Sequence, residues 1–492
     1  MTAKAATTRR PSAALDSSFS LRKPLLLLAL SVVLASSYRR LTSGPYNPIL
    51  CAVLNYNCPD WPVSGRVASG FEEVRKEFQR NFREGEEVGS SFFAWKDGKP
   101  VVELTGGFFD DSYTKPYPED VLQLVFSSSK AVAGIAVAHL VSTGAVSYSD
   151  RIASFWPEFG VGNKENVTLK DLMGHRAGVS YLDPSRAPRP EDILDLDGLS
   201  EMLAGQPHNF NGTTTVGYHA VTRGWYINEV VRRTDPKKRS LGAYIRDELA
   251  SVLDIDYYLG LDPALHSRVS RLVSMPILHV LFSVFVPRKW QAEPIPQLMI
   301  DALLSPESLG YKVLMNSGPK LPWYELWPRG FNRKEIWMGE SPSFSGMTNA
   351  KSLSRLAAVM ANNGVDPVTG KVIIPTETLK EALEPLPVLH DPVLGNPIPF
   401  LTGGWGKVDK LVHGDTWIGW AGAGGSMIWW NKDENLAFAY AMNAVKLQAL
   451  GDKRSWRLIK AFLEGVDRIK GRKIERIVGE VKFEEAPPIL KV

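Results

Sequence analysis

Cysteine is almost missing from this chain: Cys51 and Cys58 are the only two in 492 residues. Without a nearby pair of histidines they do not make a zinc site. Spaced this closely, they suit a disulfide in an oxidising lumen and two free thiols in a reducing compartment equally well. A basic stripe with interleaved aromatics is also lacking. Lysine and arginine are scattered at a net charge of +4, which gives nucleic-acid binding no support. The glycines of Gly419–Ser426 lead into a strand pattern, and no Gly-Lys-Ser follows them, so they are not a phosphate loop. Internal repeats and long low-complexity tracts are absent.

What is present is ordinary globular material, 44% hydrophobic and 22% charged. The length calls for one large domain with two lobes, or for two domains. Fourteen tryptophans are many, enough to line a cleft.

The N-terminus stands apart. Arg22-Lys23 precede the apolar run from Pro24 to Ala35, and Arg39-Arg40 follow it. At about 1.5 Å per residue the run falls short of a hydrocarbon core roughly 30 Å thick. Signal anchor, cleaved signal peptide (with Ala35-Ser36-Ser37 as the small-residue site) and mitochondrial presequence compete. Positive charge is heavier before the run, which favours a cytosolic N-terminus and a translocated body. Asn166-Val167-Thr168 and Asn211-Gly212-Thr213 are glycosylation sequons, although Thr168 also suits a helix cap for Leu169–Met173. Candidate disulfide and candidate glycosylation sites agree on a secretory route. The expectation is a single-pass membrane protein with its body lumenal or extracellular; the alternatives are secreted or mitochondrial.

The division expected along the chain is a basic segment 1–23, an anchor or signal 24–38, a linker 39–69, a catalytic body 70–470 and a tail 471–492. Phe71, Val74, Phe78 and Phe82 recur at helical spacing. Two β-rich runs, Ser91–Lys96 and Pro100–Leu104, flank Asp97-Gly98, a strong hairpin signal. Met427–Trp430 and Leu436–Met442 flank a turn at Asn431–Asn435, and Trp456, Leu458, Phe462 and Val466 mark a last helix. This order predicts an α+β fold with an antiparallel sheet. The apolar stretch Ser270–Trp290, broken by Pro276 and His279, is open between core, lid and membrane-dipping hairpin.

The organising stretch is Phe126-Ser127-Ser128-Ser129-Lys130, which opens a helix apolar on nearly every face through Leu140. Such a helix is buried inside a domain. Ser127 and Lys130 share a face at i, i+3, beside the positive end of the helix. Hydroxyl, lysine and helix N-terminus are the parts of an activated serine, and equally of a serine cap with a solvent-facing lysine. His175 reads either as a catalytic base or as a histidine that orders a turn, and Tyr218 as packing or as a second polar partner. Arg223, one helical turn past Tyr218, reads as outward-facing or as a cation that meets a substrate carboxylate.

Together these pieces resemble the serine β-lactamase and penicillin-binding-protein superfamily, in its class C and D-alanyl-D-alanine carboxypeptidase branch. The first motif is Ser127-x-x-Lys130, the second is Tyr218-His219-Ala220, and the third is Trp420-Ala421-Gly422. The segment Asp171–Gly178 is also similar to that family. The resemblance implies a β-lactamase/transpeptidase-like fold, with an antiparallel sheet flanked by helices and a mainly helical lobe. It implies Ser127 as nucleophile, with Lys130 tuning Tyr218 toward phenolate so that Tyr218 takes the serine proton. Backbone N–H groups of Ser127 and Ala423 would form the oxyanion hole, and Trp420, Gly422 and Ala220 would face the substrate. No cofactor or metal is required.

Two departures bear on substrate. Ala220 replaces the asparagine that binds the acyl side-chain amide of penicillins, and Trp420 replaces the cation that binds their carboxylate. A tryptophan here is similar to the esterase and acyltransferase members. The expected function is therefore a serine hydrolase acting through an acyl-enzyme on neutral ester or amide substrates and inefficient on β-lactams. An acyltransferase and a catalytically silent scaffold are the alternatives.

Overall fold

The computed structural model describes residues 24, 26–34, 58–213, 215–273, 300, 305–321, 327–408, 416–448 and 451–473. The chain divides into two units, Met1–Cys58 and Pro59–Val492. In the first unit residues 26–34 are helical, and Leu26, Leu27, Leu28 and Leu34 are all at least 60% exposed. Among the described residues no helix is long and apolar enough to cross a membrane. Cys58 is disulfide-bonded; Cys51 lies outside the described residues. So does nearly all of the apolar stretch expected between residues 270 and 290.

The second unit is built on a seven-stranded antiparallel sheet. Its strands are β1 (Val63–Val67), β2 (Gly89–Lys96), β3 (Lys99–Gly107), β4 (Gly406–Val408), β5 (Trp417–Ala421), β6 (Met427–Asn431) and β7 (Leu436–Met442). Their order is β1-β3-β2-β7-β6-β5-β4. The first and last thirds of the body thus meet where β7 pairs with β2, Phe438 opposite Ala94. The β2–β3 hairpin turns on Asp97 and Gly98, both at positive φ (50° and 72°), as a two-residue turn of primed type demands. The edge strand β1 lies within the stretch expected to be linker, so the body begins before Gly70.

Helix α1 (Glu72–Arg83) and helix α6 (Lys453–Ile469) cover one face of the sheet. There Phe71 stacks on Phe462 at 5.7 Å. The other face carries the larger core, which includes α2 (Ser129–Ser142), α4 (Arg223–Thr234) and α5 (Ala350–Ala361). Between α2 and α4 lies α3 (Leu169–Met173), whose N-cap Thr168 forms a capping box with Asp171. Helix α2 is the buried helix that its composition predicts: from Ser129 to Ala138 every residue is buried. Gly134 is required there, because a Cβ would come within 2.6 Å of the Trp405 indole nitrogen. That nitrogen donates to the Ala131 carbonyl at 3.0 Å, so the loop before β4 is fastened to the first turn of α2. Residues 122–124, 257–258, 269–270 and 347–348 form a second, four-stranded sheet, which feeds directly into the turn at the head of α2.

Candidate active site

The turn Phe126–Ser128 precedes α2. Phe126 has φ +46°, a conformation a bulky residue rarely adopts, and its ring is held against Trp327 at 4.9 Å and Phe331 at 5.2 Å. The turn leaves Ser127 half-buried at the mouth of the helix, while Lys130 is fully enclosed. Lys130 Nζ stands 2.8 Å from Ser127 Oγ and donates to the Ala220 carbonyl at 2.6 Å. The shared face expected from the i, i+3 spacing is therefore a direct contact.

Tyr218 comes from the loop before α4. The Trp420 indole N–H, from the end of β5, donates to the Tyr218 hydroxyl at 3.0 Å, and Ser127 also hydrogen-bonds the phenol. Lys130 Nζ lies 5.4 Å from the Tyr218 ring centroid. Tyr218 and Trp420, far from each other and from the neighbouring pair Ser127 and Lys130 in sequence, thus meet that pair at one place. Trp420 is itself buried, packed on Phe400 and Tyr218 at 5.2 and 5.5 Å. Its one polar atom is engaged by Tyr218 rather than held open for a substrate.

Burial works against the expected division of labour between Lys130 and Tyr218. Burial first, and the Arg223 charge second, pull Lys130 well below the ordinary lysine range. Burial pushes Tyr218 up, and the hydrogen bonds from Ser127 and Trp420 and the charge of Arg223 only partly offset it. An uncharged Lys130 has one lone pair and two hydrogens. One hydrogen goes to the Ala220 carbonyl, and the lone pair is available to the Ser127 hydroxyl. Because the Tyr218 hydroxyl accepts from Trp420, its own O–H is left to point toward Ser127 and Lys130.

Gly422 and Ala220 also have structural contacts of their own. A Cβ on Gly422 would collide with the Val125 carbonyl and with Ser426 Oγ; the glycine is needed for close approach of two backbones. Ala220 contributes its carbonyl to Lys130. Ser426, which sequence reasoning passed over, ties the two turns together: its Oγ donates to the Val125 carbonyl at 2.7 Å and meets Ser128 Oγ at 3.0 Å. Beside it the Ala423 N–H has no partner among the described residues. The Ser127 N–H is one of the orphan donors of a first helical turn. Two such donors, on the two turns that Ser426 ties together, are of the kind a developing oxyanion needs.

His175 orders a turn, as the plainer reading of it expects. At φ +61° its carbonyl accepts from Gly217 N–H at 2.9 Å, and its Nδ1 accepts from His219 N–H at 2.9 Å. These two bonds bracket Tyr218, whose ring lies 4.7 Å from the imidazole. The Asp391 carboxyl, which accepts from Val393 and Leu394 N–H at 2.8 and 3.2 Å, lies against the Tyr218 backbone. Arg223 is not outward-facing: it is 1% exposed, with Nη1 3.1 Å from His175 Nε2 and donating to the Gly404 carbonyl at 3.1 Å. Neither Arg223 nor Asp391 carried a local signal, since both are placed by contacts across more than a hundred residues. Among the described residues no cluster of side chains is suited to a metal ion.

A family model described as Beta-lactamase matches residues 78–461. The esterase/beta-lactamase LipL of Mycobacterium tuberculosis is 27% identical over 394 residues, 78% of this chain and 85% of that protein. Among solved structures, a family VIII carboxylesterase superposes with a TM-score of 0.70 at 28% identity, covering 82% of this chain and all of that one. A penicillin-binding-protein homologue from Caulobacter crescentus gives 0.67 at 29% identity over the same shares.

Proposed function

The chain belongs to the beta-lactamase family, and from that premise we propose that it is a serine hydrolase that cleaves carboxylic esters through an acyl-enzyme on Ser127. The observation that carries this reading is the Lys130 amine, buried and 2.8 Å from Ser127 Oγ. A serine hydroxyl is a poor nucleophile until a base takes its proton. Lys130 takes it as Oγ attacks the ester carbonyl, and the oxyanion is received by the Ser127 and Ala423 N–H groups. The ammonium then returns a proton, through the Tyr218 hydroxyl, to the departing alkoxide. Water attacks the acyl-enzyme, gives its proton back along the same path, and releases the acid and free Ser127. Atoms and charge balance with no cofactor.

Esters are favoured over penicillins because the position of the third-motif cation holds Trp420, whose N–H is already engaged. Burying a substrate carboxylate there without a countercharge would cost several kcal/mol as an order of magnitude. The esterase titles of the relatives point the same way. The test is hydrolysis of aryl esters with mass spectrometry of the intact protein. We expect an acyl adduct on Ser127, and a Ser127→Ala variant with unchanged melting and no adduct. Turnover surviving in that variant would remove Ser127 as nucleophile. Transfer of the acyl group to an added alcohol would extend the reading to acyl transfer.

We further infer attachment to a membrane through the N-terminal apolar segment, with the body on the lumenal or outer side. Its support is the basic flanks of the segment and the outward-facing leucines of residues 26–34. Asn166 and Asn211 are both exposed and available to a glycosyltransferase.

A further inference from the structure

Arg223 is a cation buried where no acid neutralises it. It is 1% exposed, and among the described residues it forms no ion pair. Its Nε and Nη2 have no hydrogen-bond partner, and Nη1 meets only His175 Nε2 and the Gly404 carbonyl. Burying an uncompensated charge costs several kcal/mol as an order of magnitude. The fold nevertheless makes room for it: Gly404 sits at φ +83°, and any Cβ there would collide with Nη2. A purely structural role would be met more cheaply by an apolar residue, so the charge itself calls for an account.

The titratable groups that act on Arg223 are Tyr218 of the site and the buried Tyr148. His175 links Arg223 to Tyr218, and Tyr218 stands beside Lys130. His175 Nδ1 accepts from the His219 backbone N–H, so the neutral imidazole carries its hydrogen on Nε2, facing Arg223 Nη1. Protonation at Nδ1 would break the bond from His219, and His175 supplies no countercharge to Arg223. The titratable and charged groups that act on Lys130, Tyr218 and His175 are these residues themselves, Arg223, His219 and Asp391. Asp391 faces the Tyr218 backbone, and among the described residues no carboxylate faces Lys130 or Arg223.

We propose that Arg223 is a positioning residue of this site, whose unmatched buried charge keeps Lys130 in the uncharged form that accepts the Ser127 proton. Arg223 itself keeps its charge at neutral pH, since burial lowers it to about 10 and no further. The charge acts in the same direction on Lys130, His175 and His219, disfavouring the protonated form of each. It does so through the protein interior, where screening by solvent is weak.

The inference rests on Lys130 being the base. That reading has its own test: Lys130→Ala must lose ester turnover. For Arg223, the readout is the acid limb of kcat/KM against pH, measured on a p-nitrophenyl ester with the full-length protein. Removing the charge lets Lys130 hold its proton to higher pH. In Arg223→Gln the limb moves up by about one pH unit or more, while the plateau reports any structural loss separately. His175→Asp supplies the missing carboxylate at a φ that aspartate tolerates, leaves Arg223 in place, and moves the limb in the same direction. If Arg223→Gln does not fold, His175→Asp decides alone. A folded variant of either kind that keeps the wild-type acid limb overturns the proposal. In that case Lys130→Ala would still be inactive, so failure of this inference is distinct from failure of the proposed reaction.

Discussion

The Trp420 indole N–H donates to the Tyr218 hydroxyl at 3.0 Å, and that single bond fixes where the phenolic proton can point. With one lone pair of the phenol occupied on the Trp420 side, its O–H is left for Ser127 and Lys130. Trp420→Phe keeps most of the ring packing and deletes the donor. Leaving a buried acceptor unpaired costs about 1–3 kcal/mol, which corresponds to roughly a 10- to 100-fold fall in kcat. KM should change little, because the indole N–H is not available to substrate. A change confined to KM would restore Trp420 as a substrate contact.

Gly422→Ala tests the join between the glycine-rich turn and the serine turn. The added methyl group meets the Val125 carbonyl and Ser426 Oγ, so the Ala423 N–H must move away from Ser127. We expect a destabilisation of about 1–3 kcal/mol and a loss of kcat larger than that of Ser426→Ala, which breaks the tie without forcing the backbones apart. Full activity in Gly422→Ala would mean that Ala423 does not supply an oxyanion donor.

Lys130→Met links activity to stability. Turnover should fall about 10²- to 10⁴-fold. Because burial holds Lys130 well below the ordinary lysine value of 10.5 in the fold, the unfolded chain binds more protons through the range between the two values. Wild-type stability therefore gains with rising pH across that window. Methionine contributes no such gain, so the melting temperature of the variant relative to wild type should fall steadily as pH rises toward 10.5. A pH-independent difference would show that Lys130 is charged in the fold.

Membrane attachment and translocation are checked together. Carbonate-resistant association with membranes, lost on deletion of residues 1–38, is expected, along with a glycosidase-sensitive mass shift abolished by Asn166→Gln plus Asn211→Gln. Thr168 donates its hydroxyl to Asp171 Oδ2 in the helix cap, so occupancy at Asn166 should be lower than at Asn211. A soluble, unglycosylated protein recovered from the mitochondrial matrix would refute both halves.

Local order made much of this molecule legible. The Asp97-Gly98 turn, the alternating runs around it, the apolar helix after Ser129 and the amphipathic last helix are set by neighbours in sequence, and the sheet follows from them. Ser127 and Lys130, three residues apart, are brought together by one helical turn. Tertiary structure decided the rest. Burial, not composition, pulls Lys130 below its ordinary range and pushes Tyr218 above its own, because the cost of a charge depends on how completely other segments exclude water from it. The same packing turns Trp420 from a substrate contact into a partner of Tyr218. It also sinks Arg223 beneath the site: a residue at the start of a helix carries no local sign of the loop, with Gly404, that will close over it.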